Sequence, residues 1–67
     1  MKITLNNRTE IIDRDTITIE ELIEYKNFTF KLLVTKLNDK LIKKDERKTT
    51  PVKEGDKVVV LHMISGG

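Results

Sequence analysis

The chain has 67 residues, 37% hydrophobic and 36% charged, with a net charge of +2. A domain this short buries only about 60% of the surface its unfolded form exposes, which leaves no room for a second domain or for a cofactor cleft with its own walls. With no cysteine there is no disulfide, thiolate zinc site or catalytic thiol, and the lone histidine, His62, excludes a multi-histidine metal cluster.

Met1 to Asn6 alternates apolar and polar residues. It has no basic stretch followed by a long apolar run, so no signal peptide is expected. The longest apolar runs, Leu32 to Val34 and Val58 to Leu61, fall far short of the roughly 20 residues of a membrane span. The expectation is a soluble, cytoplasmic protein, monomeric on its own.

Ile3 and Leu5 alternate with Lys2, Thr4 and Asn6, the pattern of a half-buried strand. Asn7 and Arg8 are expected to turn the chain, and Thr9 to Asp13 to return as a second strand. Asp13 to Asp15 reads as a loop. Thr18-Ile19-Glu20-Glu21 matches a capping box, and Ile17 with Leu22 forms the accompanying hydrophobic staple. Two glutamates in the first turn suit the helix dipole. Ile19, Leu22 and Ile23 share one helical face, which predicts a helix over about 19 to 26, ending near Asn27.

Phe28 to Leu37 reads as a strand whose parity Phe30, Leu32, Val34 is the more apolar. Asn38-Asp39-Lys40 is a turn and Leu41-Ile42 a short strand. Lys43 to Lys53 is polar, punctuated by Pro51. Glu54-Gly55-Asp56 turns into a last β-branched strand, Lys57 to Met63. One helix can then cover one face of a mixed sheet of four to five strands, an α+β architecture whose most economical form is the β-grasp. A right-handed crossover through the helix would set the third strand parallel to the first. Val58 and Val60 are assigned to the core with Ile3, Leu5, Leu22, Ile23 and Leu32. Val59, Leu61 and Met63, on the other parity, would form an apolar stripe leading to Ile64 and the chain end, a partner-binding patch.

No catalytic constellation is visible. His62 has no nucleophile associated with it, Asp45 and Glu46 are sequence neighbours rather than a pair across a cleft, and three glycines allow no phosphate-binding loop. The pattern is not that of an enzyme. The informative feature is Gly66-Gly67, directly after the last strand and Ser65. At a glycine frequency of about 7%, such a pair arises by chance roughly once in 200 sequences, so it merits a physical reading. A carboxylate is a poor acyl donor until adenylation makes it a mixed anhydride. Bare glycine backbone can thread a narrow channel to a partner's active site, because no side chain meets the walls. On this reading Gly67 is the residue modified, and the catalysts lie in the partner.

In this light the chain resembles the ThiS family, ubiquitin-like β-grasp sulfur carriers of thiamine thiazole synthesis. The features that carry the resemblance are Lys2 to Asn6, Thr18-Ile19-Glu20-Glu21-Leu22, Asn38 with Leu41-Ile42, Glu54-Gly55-Asp56-Lys57-Val58, and Leu61-His62-Met63-Ile64 before Gly66-Gly67. It covers essentially the whole chain, residues 1–67, as one carrier domain. Lys43-Lys44 stands where such chains often carry Pro-Arg, and Arg47 where many have an aromatic. The resemblance implies that an E1-like, ThiF-type adenylyltransferase activates the Gly67 carboxylate with ATP and magnesium. Sulfur then replaces AMP, and a ThiG-type thiazole synthase takes it from the thiocarboxylate. No cofactor would be bound by this chain itself. The related MoaD carriers of molybdopterin synthesis, carriers for tRNA thiolation and ubiquitin-like protein modifiers share fold and tail. The rival from another class is an RNA-binding β-grasp module using Lys40, Lys43, Lys44, Arg47 and Lys48. Interleaved acids and only three aromatics, Tyr25, Phe28 and Phe30, argue against nucleic acid.

Overall fold

Asparagine sets both hairpins. Asn6 and Asn7 have φ of 50° and 66°, and Asn38 and Asp39 have φ of 50° and 70°. Positive φ at both central residues defines the two-residue turn whose twist matches that of paired strands, and Asn and Asp tolerate it best. The first turn joins β1 (Lys2–Leu5) to β2 (Arg8–Ile11), with Leu5 opposite Arg8 and Ile3 opposite Glu10. It therefore lies one residue earlier than the expected Asn7-Arg8. That register points Ile11 outward, 65% exposed, while Ile12 just beyond the strand is fully buried.

The computed structural model describes residues 1–28 and 32–63. After β2 come β3 (Ile17–Thr18), α1 (Ile19–Tyr25), β4 (Leu33–Leu37), β5 (Lys40–Ile42), a 3₁₀ turn (Lys44–Glu46), β6 (Pro51–Val52) and β7 (Lys57–His62). Five strands form one mixed sheet in the order β2-β1-β7-β4-β5, and β3 pairs with β6 separately. The last strand runs parallel to β1 and antiparallel to β4. The expected crossover is corrected accordingly: the strand after the helix is not parallel to the first and is not its neighbour in the sheet. The parallel partner is the strand made last.

The helix begins as its sequence dictates. The Thr18 hydroxyl accepts from the Glu21 N–H at 3.1 Å, and the Glu21 carboxylate accepts from the Thr18 N–H at 3.0 Å. These two bonds satisfy donors that the first helical turn leaves open. Asn27, with φ of 61°, ends the helix in the left-handed conformation common there. Lys26 pairs with Glu10 at 3.0 Å and ties the helix end to β2.

Ile19 and Leu22 of the helix pack into a core with Ile3, Leu5, Ile12, Ile17, Ile42, Val52, Val58 and Val60. Ile23 is partly buried against it, as is Phe28. Leu32 is not in the core: it is 52% exposed. The strand after the helix is Leu33–Leu37, without Phe28 and Leu32 of the expected span and with residues 29–31 outside the described residues, and it uses the opposite parity. Leu33, Thr35 and Leu37 face inward, and Thr35 is fully buried. A hydroxyl is tolerated there because it donates to the Ile42 carbonyl at 2.7 Å and accepts from Arg47 Nε at 3.2 Å. Phe30, also expected inside, lies outside the described residues. The β3–β6 pair was not anticipated: Pro51 sits opposite Thr18 and Val52 opposite Ile17, inside a stretch that reads as polar loop.

Two tests follow from this packing. Leu22→Ala should cost about 2–5 kcal/mol by opening a cavity, and Thr18→Ala about 1 kcal/mol by uncapping the helix. Both are measured as lower urea midpoints at unchanged slope. The second test is pH-dependent. The Glu21 carboxyl is held below its ordinary 4.5, chiefly by the Thr18 backbone N–H and then by the Thr18 hydroxyl, against an opposing effect of burial, with Arg14 adding the least. A carboxyl with a lowered folded pKa adds stability above its unfolded value and loses it as pH falls through the folded value. The Tm gap between wild type and Glu21→Ala should therefore hold at neutral pH and narrow only below about pH 4.5.

Candidate functional site

Side chains alternate along β7, so one strand serves two faces. Val58 and Val60 point into the core, 0% and 6% exposed. Val59 is half-buried, and beyond it Leu61 and Met63 are exposed. The expected stripe of Val59, Leu61 and Met63 thus lies on the sheet face away from the helix. The register widens it. Val34 of β4 is opposite Leu61, Lys36 is opposite Val59, and Leu41 of β5 is opposite Lys36. The apolar surface therefore crosses three strands and includes Val34 and Leu41, which the sequence marks as strand residues but not as part of this face. Met63 stays tied to the sheet, its N–H donating to the Leu32 carbonyl at 2.9 Å. Ile64, Ser65, Gly66 and Gly67 lie outside the described residues.

At the β4 end of this face the chain builds a groove of about 360 Å³ lined by Leu32, Leu33, Val34, Lys44, Arg47 and Met63. Its basic wall has a structural origin. β5 pairs only with Thr35 to Leu37, so on that side the Leu33 end of β4 has no strand beside it, while β7 pairs with its other side. Arg47 fills the gap: Nη2 donates to the Leu33 carbonyl at 2.6 Å, and Nε donates to Thr35. The 3₁₀ turn that carries Lys44 is held by Glu46, whose carboxylate accepts from the Lys43 N–H at 2.9 Å. As a member of a charge run Arg47 reads as a surface cation. Its role in closing the edge of β4 is a long-range property, and no local pattern marks it.

The arrangement is suited to recognition. Among the described residues, no three His, Asp or Glu side chains converge to hold a metal ion. His62 is exposed near the end of β7, opposite Leu33. Lys40, Lys43, Lys44 and Lys48 are exposed, but Asp45 and Glu46 lie among them. Tyr25, half-exposed, is on the helix, and Phe28 packs against the core, so among the described residues no ring is set on the open sheet face for base stacking. Among the described residues, no helix is long and apolar enough to cross a membrane.

Comparison with known proteins agrees with this architecture. Among solved structures, the chain is similar to the crystal structure of a thiamine biosynthesis protein (ThiS) from Geobacter metallireducens, with a TM-score of 0.90, 25% identity and full coverage of both chains. A solution structure of a thiamine biosynthesis protein from Geobacter metallireducens gives a TM-score of 0.82 at 25% identity, covering all of this chain and 88% of the other. No curated protein matches the chain at a significant level. The sequence model of the ThiS family matches residues 2–67. The chain is a β-grasp protein that belongs to the ThiS family of sulfur carriers.

Proposed function

We propose that this carrier is loaded with sulfur at the carboxylate of Gly67 and delivers it to the thiazole of thiamine. Family membership over residues 2–67 is the observation that carries the reading. The geometry supports it: the strand leading to the tail lies in the middle of the sheet, so the rest of the domain acts as a rigid handle.

The chain is the substrate of the chemistry and supplies no catalytic group. A Gly67 carboxylate oxygen attacks the α-phosphorus of ATP, held with magnesium by an E1-like, ThiF-type enzyme, and pyrophosphate leaves. A hydrosulfide equivalent then attacks the acyl carbon and AMP departs with the former carboxylate oxygen, leaving a thiocarboxylate. A ThiG-type thiazole synthase accepts that sulfur. Gly66 and Ser65 form the reach of the tail, and glycine keeps side chains away from the channel walls. Val59, Leu61 and Met63, with Ile64, are the contact surface for these enzymes. Exposed apolar side chains gathered on one face of a small domain are suited to such a role.

Intact-mass measurement after incubation with ATP, magnesium, sulfide and the E1-like enzyme of the same organism tests the proposal. One oxygen should be exchanged for sulfur, located on Gly67 and absent when Gly67 is deleted. Absence of both adenylate and thiocarboxylate, with that enzyme active on another carrier, would refute it. Leu61→Asp should raise the KM for the carrier about tenfold or more while kcat at saturation is retained, the signature of lost docking.

A further inference from the structure

The groove beside Met63 has a composition the apolar stripe does not explain. Leu32, Val34 and Met63 supply apolar surface, Lys44 and Arg47 supply two cations, and no carboxylate lines it. At the other end of β7 carboxylates and cations are matched: Asp39 pairs with Lys57 at 3.3 Å, Asp56 is bonded to Asn38, and Glu54 accepts from the Lys2 N–H. In the groove two cations meet apolar surface with no carboxylate in the lining, and Glu20 and Asp45 stand in the adjoining cleft on the far side of the same pair.

Distance narrows what can meet this groove. Four residues follow Met63. At about 3.3–3.6 Å per residue they span at most roughly 14 Å. An enzyme that encloses the Gly67 carboxylate therefore comes within that reach of the Met63 end of the sheet, where the groove lies. We propose that the groove is a docking site for that rim, and that the rim presents an aliphatic side chain flanked by at least one carboxylate. This deepens the sulfur-carrier reading and rests on it. The carboxylate sits between Lys44 and Arg47, and the aliphatic group on Leu32, Val34 and Met63.

Arg47 is prepared for this. Two of its donors are already fixed on Leu33 and Thr35, so little side-chain freedom remains to be lost on binding. A second copy of this chain is a poor occupant. A two-fold pairing would set the same cations against each other, and like charges across an interface are unfavourable.

Calorimetric titration of the full chain into the E1-like activating enzyme of the same organism tests the proposal, with intact-mass loading run alongside. Lys44→Glu changes an exposed side chain and should leave the fold intact. Lys53→Glu makes the same charge change in the turn before β7, six strand residues from the groove end, and serves as control. Lys44→Glu should weaken binding about tenfold or more and Lys53→Glu by less than about twofold. Raising the ionic strength should weaken wild type more than Lys44→Glu. Equal affinity for Lys44→Glu and wild type overturns the groove, with sulfur loading intact. Equal weakening by both variants also overturns it, because the effect would then be overall charge. If wild type neither binds nor is loaded, the carrier reading itself falls and the groove proposal with it.

Discussion

The whole sheet depends on β7 being held from both sides. On one edge it pairs with β1 in parallel, and on the other with β4 over residues Val58 to His62. Each hairpin turn adds a clamp through its asparagine. The Asn6 carboxamide oxygen accepts from the Val60 N–H at 2.8 Å, extending the β1 side past the point where β1 stops. Asn38 does the same on the other side, accepting from the Lys57 N–H at 2.9 Å while its amide donates to Asp56. Asparagine is thus used twice over: its backbone tolerates the turn, and its side chain fastens the turn to the central strand.

Alternation along that strand separates stability from recognition at neighbouring positions. Val58 and Val60 hold the sheet to the helix, and Val59 and Leu61 face outward. A substitution one residue away therefore changes which property is lost. The outward face can change while the inward face keeps the fold.

Sequence reveals most where the cause is local. Thr18 and Glu21 are three residues apart, so their reciprocal bonds follow from spacing alone. The inward Val58 and Val60 follow from strand parity. Leu32 to Val34 offers no such guidance, because three apolar residues in a row fit either parity. The choice falls to Thr35, whose burial becomes tolerable only through Ile42 and Arg47, both distant in sequence. The β3–β6 pair is hidden for a related reason: it is two residues long and joins segments more than 30 positions apart. Of the candidate face, the β7 stripe is legible, but the contributions of Val34, Leu41 and Arg47 exist only once β4 and β5 are in register. The terminal glycines are read from composition alone and lie outside the described residues.

The parallel pairing of β1 with β7 also sets an order of events during synthesis. Strand β1 leaves the ribosome first and must wait for residues 57–62 before its second neighbour exists. Contacts this far apart in the chain form late and slow folding. Until β7 emerges, both β1 and β4 present an open edge of the kind that invites wrong pairing. A chain halted before β7 lacks the strand on which both β1 and β4 pair, so the five-stranded sheet closes only once synthesis has reached the segment leading to the tail.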